Sequence, residues 1–379
     1  MAGIYIHVPF CSRRCHYCDF YSSVNTSYTD DYIKSILVQI QLQSNYFHYL
    51  PKKEQVIETI YWGGGTPSLL STSQIEQILQ FLASTFKVSE NAEITLEANP
   101  DDISLEYLQG LKAIGVNRLS LGIQSFDDTL LKLMNRRHSA KQAIQSVEFA
   151  LKAGIDNFSI DLIYGLPGLN QKLWQETLDL AFSLAITHVS AYHLGIEEGT
   201  VFHHWLKKGK ISEMPEDESW NQFEMLHEVA EQQGFEHYEI SNLAKPGFRS
   251  QHNTSYWNDI PYLGLGPSAH SFNGIQRSWN VSGIKEYIEA LAKNIPFSES
   301  ENLTPENRLN EYIMTHLRTK EGLNYQYLKD NFGESVYIRI TQYFERLKKT
   351  GMADSTKTHG YLTLKGWFVS DKIISELIE

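Results

Sequence analysis

The chain has 379 residues, of which 42% are hydrophobic and 12% aromatic, as in an ordinary globular protein with a large core. Its formal net charge of −12 at pH 7 disfavours binding to nucleic acid or to an anionic membrane through the overall electrostatic field. No apolar run is long enough to span a bilayer, and no signal peptide precedes the first predicted strand.

Six short apolar segments are typical of buried parallel strands, and helical patterns follow them. The predicted strands are Ile4–Val8, Thr59–Trp62, Glu93–Glu97, Arg118–Ile123, Phe158–Ile163 and His188–Leu194. Amphipathic helical stretches between them include Asp30–Gln43, Ser73–Thr85 and Ala140–Ala153. This alternation predicts an α/β fold with a parallel sheet and outer helices, either doubly wound or barrel-like.

Polar residues at the ends of these strands favour the barrel. The cysteine-containing segment follows the first strand, and Gly63–Pro67 follows the second. Glu97 and Gln124 end the third and fourth strands, and Asp161 lies within the fifth. Because βα-barrels build their active sites at the C-terminal ends of the strands, we expect these residues to converge on one site.

The pattern changes after residue 200. A helical stretch, Glu216–Gln233, leads into a region punctuated by glycine and proline, His237–Ser271. From Thr304 the sequence predicts short helices and a hairpin at Gly351–Leu364, which resembles a winged-helix-like module. Its basic and acidic residues are nearly balanced, so nucleic-acid binding is not expected. We therefore divide the chain into residues 1–200, 201–303 and 304–379.

All three cysteines, Cys11, Cys15 and Cys18, lie in one short segment. Three thiols cannot pair into disulfides, and buried structural cysteines have no reason to cluster. The C-x3-C-x2-C spacing allows them to ligate three irons of a [4Fe–4S] cluster and to leave the fourth iron open. A zinc site would need a fourth ligand, for which His7 is possible and His16 is too close in sequence. Reduced thiols also predict a cytosol-like compartment, the cytoplasm.

An open iron accepts a chelating ligand, and the amino and carboxylate groups of S-adenosylmethionine provide one. Chelation brings the sulfonium beside the cluster, where one electron can cleave it to a 5′-deoxyadenosyl radical. Gly63–Gly65, directly after the second strand, would let the backbone approach the methionine amino group closely.

The motifs together resemble the oxygen-independent coproporphyrinogen III oxidase family of radical-SAM proteins, over nearly the whole chain. The residues that carry this resemblance are the cysteine segment, Gly63–Pro67, Tyr5–Phe10, Leu96–Pro100, Gly122–Phe126, Asn135, Arg136 and Asp161–Pro167. The resemblance implies a partial (β/α)6 barrel with a small C-terminal helical, winged-helix-like domain. It also implies that S-adenosylmethionine contacts Tyr5, Tyr17, Gly64, Gly65, Thr66, Glu97, Gln124, Arg136 and Asp161.

These implied roles are chemically reasonable. The planar guanidinium of Arg136 suits the methionine carboxylate, and Glu97, Gln124 or Asp161 would accept hydrogen bonds from ribose hydroxyls. Taken singly, an arginine on a helix is usually solvated and a buried acid is usually paired within the structure. Their joint placement at one barrel mouth is what favours cofactor binding.

Two features depart from the oxidases. Those enzymes carry a fourth cysteine two residues after the third, where this chain has Phe20. They also carry an N-terminal extension that helps to enclose the porphyrinogen, whereas ten residues precede Cys11 here. A substrate radical in an unshielded site would be prone to side reactions. The combination is similar to HemW-type heme chaperones, paralogues that bind heme and pass it to acceptor proteins.

A second motif agrees with heme binding. His252–Trp257 matches the H-N-x-x-Y-W pattern that the resemblance associates with heme. An imidazole is a good axial ligand for heme iron, and the adjacent Tyr256 and Trp257 would pack on the porphyrin face. The same pattern also suits an ordinary hydrogen-bonded loop, and His237 and His270 are other candidates for the iron ligand.

Three functions follow as hypotheses. The first is a heme chaperone that keeps a [4Fe–4S] cluster and an S-adenosylmethionine site. The alternative is a coproporphyrinogen III oxidase, which decarboxylates two propionates oxidatively. The third is a radical-SAM enzyme with another substrate. The expected partners are heme and heme-acceptor proteins of unknown identity, with peripheral membrane association suggested by the resemblance. The oligomeric state and the need for radical cleavage stay open.

Overall fold

The structure is a computed structural model in which residues 1–378 are described. Its strands are β1 (Ala2–Val8), β2 (Ile57–Gly64), β3 (Val88–Ala98), β4 (Arg118–Gln124), β5 (Phe158–Tyr164), β6 (His188–His193), β7 (Glu236–Glu239), β8 (Asn242–Ala244), β9 (Tyr262–Leu265), β10 (His270–Phe272), β11 (Gln276–Asn280), β12 (Ser298–Asn302), β13 (Leu323–Asn324), β14 (Ala353–Ser355) and β15 (His359–Leu362). Its helices are α1 (Thr29–Leu42), α2 (Thr72–Thr85), α3 (Leu105–Ala113), α4 (Asp128–Leu133), α5 (Ala140–Lys152), α6 (Gln171–Ser183), α7 (Val201–Lys207), α8 (Glu216–Gln232), α9 (Gln251–Trp257), α10 (Ile284–Lys293), α11 (Pro305–His316), α12 (Tyr325–Phe332), α13 (Glu334–Lys349), α14 (Leu364–Phe368) and α15 (Ser370–Leu377).

The chain forms two compact units. Residues 1–222 and 260–301 make up the first unit, and residues 223–259 and 302–379 make up the second. Within residues 1–378, no helix combines the length and the apolar character needed to cross a membrane.

Six parallel strands organise the first unit. Strands β1 to β6 lie side by side in chain order, which confirms the predicted α/β architecture with its parallel sheet. Strand β5 is buried at six of its seven positions, as expected for a strand covered on both faces. The register pairs Val8 with Gly64, Glu97 with Ser120, and Asp161 with Ser190. The polar C-terminal ends of the strands therefore line one edge of the sheet.

The three predicted helices begin within one residue of their predicted starts. Ser71 caps α2 through a reciprocal pair of hydrogen bonds with Gln74, and Ser139 caps α5 in the same way. In α2, Ile75, Ile78 and Leu82 recur at helical spacing, and all three are fully buried. Burying this apolar stripe fixes the helix on the sheet.

Four strands that sequence analysis did not predict extend the sheet beyond β1. Strand β9 pairs with β1 in parallel, β10 and β11 form an antiparallel hairpin, and β12 lies at the edge. These strands contain three to five residues each, too few for periodicity to reveal them.

A buried amide ties this extension to α1. Gln39 is fully buried, and its Nε2 donates to the Gly264 carbonyl at 3.2 Å. Its Oε1 accepts hydrogen bonds from the Gly266 backbone N–H at 2.9 Å and from the Tyr287 hydroxyl. One side chain thus satisfies polar groups on β9, on the loop after it and on α10.

The second unit contains the winged-helix-like module. Helices α11, α12 and α13 accompany a small sheet of order β13-β15-β14. The predicted hairpin at Gly351–Leu364 is confirmed, because β14 and β15 pair antiparallel. Strands β7 and β8 form a second hairpin in this unit. The His252–Trp257 motif lies on helix α9, not in a loop.

The Gln39 contacts generate a test of stability. We expect Gln39→Leu to lower the free energy of unfolding by about 2–4 kcal/mol, because it leaves buried backbone groups without partners. Gln41→Leu, at an exposed position of the same helix, should change it by less than about 0.5 kcal/mol. Urea unfolding measures both, and equal effects of the two substitutions would contradict the proposed role of Gln39.

Candidate cofactor site

A cavity of about 570 Å³ opens at the C-terminal edge of the parallel strands. Eleven of the residues that sequence analysis assigned to the cluster or to S-adenosylmethionine line it, namely Cys11, Cys15, Cys18, Tyr17, Gly64, Gly65, Thr66, Glu97, Gln124, Arg136 and Asp161. Tyr5 lies next to this wall, with its ring stacked on Tyr61 at 6.2 Å between centroids. The structure thus brings these predicted residues together in one place. His252 does not line this cavity, and it belongs to the second unit.

The cysteine segment is a loop whose base is closed by backbone hydrogen bonds. The Cys11 N–H donates to the Ser23 carbonyl at 3.0 Å, and the Ser23 N–H donates to the Pro9 carbonyl at 2.6 Å. All three thiols are free and partly exposed. Burial raises the pKa of Cys18 to about 11, and the neighbouring thiols Cys15 and Cys11 add to the shift. Bound iron would reverse this, because a coordinating thiol is deprotonated.

The surroundings of His7 disfavour the zinc alternative. The His7 ring is buried, with Nδ1 3.2 Å from the Tyr5 hydroxyl and Nε2 3.3 Å from the Tyr21 carbonyl oxygen. Both ring nitrogens therefore already have partners. Across residues 1–378, no three histidine, cysteine or acidic side chains are arranged to hold a single metal ion. A cluster instead takes each thiolate on a different iron, which suits three separated sulfurs.

The glycine run brings backbone against the cysteine loop. The Gly65 N–H donates to the Val8 carbonyl at 2.8 Å. Gly64 has φ +105°, and a Cβ there would lie 2.6 Å from the His7 ring. A Cβ on Gly65 would lie 2.6 Å from the Phe10 carbonyl oxygen. Only glycine allows this close approach of the backbone. The glycine run is therefore required for packing as well as for the expected ligand contact.

Arg136 is the buried cation of the site. Its Nη1 lies 3.4 Å from the Cys15 sulfur, and its Nη2 donates to Asn99 Oδ1 at 2.5 Å and to the Gly122 carbonyl at 2.6 Å. Its Nε is buried and has no acceptor among the described residues. Asn135, at φ +62°, donates to the Arg14 carbonyl at 2.8 Å and so ties this segment to the cysteine loop. A guanidinium with one unsatisfied donor beside the thiols fits a ligand carboxylate.

Gln124 has an unusual backbone conformation. It ends β4 at φ +66°, and the register between β4 and β5 shifts between Leu121 and Gln124. A glutamine in the left-handed region is uncommon, and such strain collects at functional sites. Ligand contact by Gln124 stays a prediction, which this unusual backbone conformation favours.

Two carboxyl groups complete the cavity wall. Glu97 accepts a hydrogen bond from the Tyr61 hydroxyl at 2.8 Å, and Asp161 accepts from Ser120 Oγ at 3.1 Å. Burial raises the pKa of Glu97 to about 7, and Asp161 adds to the effect while the bond from Tyr61 opposes it. Burial likewise raises the pKa of Asp161 to about 6, against hydrogen bonds from Ser190 and Ser120. Burial thus shifts both carboxyl groups toward their neutral forms in the ligand-free protein.

Among the lining residues without a role assigned from the sequence, three are of particular interest. Asn99 lines the cavity and holds Arg136, Ser120 lines it and holds Asp161, and Tyr192 lines it at the end of β6. A strand places every second residue on one face, so Asn99 could have been found from its distance of two residues from Glu97. Ser120 and Tyr192 depend on packing across strands, which single-strand patterns do not report.

The raised pKa of Glu97 predicts how stability depends on pH. Between the ordinary pKa of 4.5 and the folded-state value of about 7, the folded chain holds the extra proton. Stability of the ligand-free protein should therefore fall as pH rises through this window, by up to about 1 kcal/mol per pH unit from this group. Glu97→Gln should flatten the slope, and the exposed control Glu90→Gln should not. Urea unfolding at pH 5, 6 and 7.5 tests this; an unchanged slope in Glu97→Gln would refute it.

Comparison with known proteins agrees with this geometry. Residues 5–181 match the model of the radical SAM superfamily, and residues 303–369 match the model of the HemN C-terminal domain. Among solved structures, the coproporphyrinogen III oxidase HemN from Escherichia coli, a radical-SAM enzyme, is similar with a TM-score of 0.84. The similarity covers 100% of this chain and 90% of the HemN chain. At 22% sequence identity it shows a common fold.

The most informative similarity is to two curated proteins, both named heme chaperone HemW. The protein from Bacillus subtilis is 34% identical over 100% of this chain and 99% of its own length. The protein from Lactococcus lactis is 32% identical over 99% of this chain and 96% of its own length. Because the identity extends from end to end, the chain belongs to the HemW family of radical-SAM proteins, whose cofactors are a [4Fe–4S] cluster and S-adenosylmethionine.

Proposed function

We propose that this protein binds heme and transfers it to acceptor proteins, and that it retains a [4Fe–4S] cluster and an S-adenosylmethionine site. The observation that carries the proposal is the full-length identity to proteins named heme chaperone HemW. The similarity to HemN, at 22% identity, concerns the fold and not the oxidase reaction. The acceptors are heme proteins still to be identified, and the reduced thiols favour the cytoplasm as the compartment.

The rim of the cavity supports the chaperone over the oxidase. Phe20 follows Cys18 by two residues, lines the cavity and is 65% exposed. In the oxidases this position supplies a fourth thiol. An exposed phenyl ring can neither bind metal nor transfer a proton, but it offers an apolar surface at the mouth. The lack of a thiol at this position therefore supports the chaperone over the oxidase.

Within the cavity, we propose that Cys11, Cys15 and Cys18 hold the cluster and that Arg136 binds the methionine carboxylate. The backbone of Gly64–Thr66 would bind the amino group, because the open glycine run leaves no side chain in the way. Glu97 and Asp161 would accept hydrogen bonds from the ribose. The cluster, when bound, supplies one electron for cleavage of S-adenosylmethionine.

The remaining predicted residues support this arrangement. Tyr5 and Tyr17 are aromatic neighbours of the ligand space, and burial holds the pKa of each hydroxyl well above its ordinary value. Both phenols therefore stay neutral donors. Thr66 Oγ1 lies 3.4 Å from the Cys11 sulfur, which places a hydroxyl beside a cluster ligand. Gln124 would offer its amide to the adenosine.

The assignment of His252 to heme iron stays a prediction. Its side chain is 1% exposed, and its Nε2 lies 3.0 Å from the Tyr256 hydroxyl. The two rings meet edge to face, with centroids 5.0 Å apart. Iron could reach this nitrogen only after Tyr256 moved away. Peripheral association with membrane-bound acceptors is likewise part of the proposal that rests on the family resemblance.

The choice between chaperone and oxidase can be tested directly. We expect the reconstituted protein to give a Soret band on titration with hemin and to form no protoporphyrinogen from coproporphyrinogen III under anaerobic conditions. A known coproporphyrinogen oxidase serves as the positive control for the assay. Clear turnover would overturn the chaperone proposal, and absence of the Soret band with intact cleavage of S-adenosylmethionine would favour a radical-SAM enzyme for another substrate.

The cluster ligands are tested by Cys15→Ser. We expect loss of the brown absorbance and of bound iron and sulfide, which should be near four of each per chain in the wild-type protein, because the cluster loses one of its three thiolates. Ser12→Ala, an exposed neighbour in the same loop, is the matched control and should retain the cluster. Metal analysis after anaerobic reconstitution measures both, and a full cluster in Cys15→Ser would remove this cysteine from the site.

A further inference from the structure

A layer of polar side chains lies beneath the cavity, in the interior of the first unit. Ser120 and Gly122 of β4 line the cavity, and residues two apart on a strand lie on the same face. Arg118, two residues before Ser120, therefore lies on the cavity-facing side of the sheet, one layer deeper. Residues in register on neighbouring strands share this face, and they are almost fully buried: Thr59, Glu93, Thr95, Ser159 and His188. Barrel interiors are ordinarily filled by branched apolar residues, so this polarity needs an explanation.

Arg118 is the buried cation of this layer, with a side chain that is 2% exposed. Its Nε lies 3.9 Å from Glu93 Oε2, which is too long for a hydrogen bond. Among residues 1–378, this Nε has no hydrogen-bond acceptor. Burying a guanidinium is strongly unfavourable unless negative groups in the interior compensate its charge. Glu93 compensates Arg118 only in part at this distance, so the positive charge also acts on other acids of the interior.

Asp161 is the cavity-lining acid that this charge reaches. It lies two residues beyond Ser159 on β5, and Ser159 is in register with Ser120 on β4. Ser120 Oγ lies 2.9 Å from Ser159 Oγ, and 3.1 Å and 3.2 Å from the two carboxyl oxygens of Asp161. Burial raises the pKa of Asp161 to about 6, against hydrogen bonds from Ser190 and Ser120. The charge of Arg118 also opposes this rise, so it favours the carboxylate form of Asp161 from below the cavity.

Other titratable or charged groups face Asp161 from the neighbouring strands and from the segment after α4. They are Tyr61 on β2, Glu97 on β3, Arg136 after α4, and His188, Tyr192 and His193 on β6. The cavity wall also carries the three thiols and the exposed residues Arg13, Arg14, Asp19 and Glu197. Glu97 opposes the carboxylate form of Asp161, because like charges repel each other. Arg136 favours that form, but in the proposed site the ligand carboxylate pairs with Arg136 and offsets its charge. Arg118 is buried below the ligand space, so its charge still acts on Asp161 when the ligand is bound.

We propose that Arg118 is a positioning residue for S-adenosylmethionine, and that its charge holds Asp161 as a carboxylate that accepts hydrogen bonds from the ribose. A charged acceptor makes a stronger hydrogen bond than a neutral acid does. Arg118 does not line the cavity, so it acts on the ligand through Asp161 and not by contact. This inference rests on the proposed roles of Asp161 and Arg136 in the S-adenosylmethionine site.

The test is anaerobic titration of the reconstituted protein with S-adenosylmethionine between pH 5.5 and 8, without a reductant, so that the ligand is not cleaved. The Kd of the wild-type protein should fall as pH rises, because the ligand selects the carboxylate form of Asp161. Arg118→Met should move the midpoint of this change upward by about one pH unit and raise Kd at pH 6 by about fivefold. Glu97→Gln removes the other acid that titrates in this range and should leave the shift intact. In that background, Asp161→Asn should abolish the pH dependence.

Two controls separate this role from a structural one. Arg118→Met leaves Glu93 buried without this cation, so it is also combined with Glu93→Gln, and thermal melting shows whether each variant is folded. The double variant should keep the upward shift, and Glu93→Gln alone should not raise the midpoint. Methionine, which has no ribose, should bind to all of these variants with the wild-type Kd.

Three outcomes would overturn the inference while leaving the binding of S-adenosylmethionine intact. They are an unchanged midpoint in the folded double variant, an equal loss of affinity for methionine, and a pH dependence that persists after Glu97→Gln and Asp161→Asn are combined. Failure of the wild-type protein to bind S-adenosylmethionine would instead overturn the proposed site itself.

Discussion

Parallel pairing of β1 with β2 is the constraint on which the site depends. It aligns Val8 with Gly64, so the cysteine loop that leaves β1 and the glycine run that leaves β2 start side by side. The hydrogen bond from the Gly65 N–H to the Val8 carbonyl locks this junction at 2.8 Å. The C-terminal ends of the later parallel strands, with their polar residues, lie at the same edge of the sheet. The order of the parallel strands therefore determines where the three thiols and the ligand cavity lie.

The electrostatics of the cavity depend on one buried cation, the Arg136 guanidinium, which lies among thiols and carboxyl groups. Arg136 is held by Asn99 and by the Gly122 carbonyl, and it reaches the Cys15 sulfur. Two carboxyl groups that also line the cavity, Glu97 and Asp161, have pKa values raised by burial. The cavity therefore combines one buried guanidinium with two carboxyl groups that burial shifts toward their neutral forms.

The same fold serves an oxidase in HemN, so function has to reside in what differs around the barrel. At the cavity mouth, Phe20 presents an exposed apolar ring at the position where the family resemblance implies a fourth thiol in the oxidases. A single side chain of this kind leaves the scaffold unchanged, which is why fold similarity alone does not separate the two activities.

Sequence by itself determined the six parallel strands, the cysteine loop and most of the cavity residues. Each of these depends on local patterns, namely apolar runs, the intervals between cysteines and polar residues at strand ends. Tertiary structure decided the rest. Strands β9 to β12 are too short to show a period, and they exist because β1 offers an open edge and Gln39 satisfies their buried backbone groups. It also decided that His252 is buried while His270 is exposed, which the sequence pattern does not distinguish.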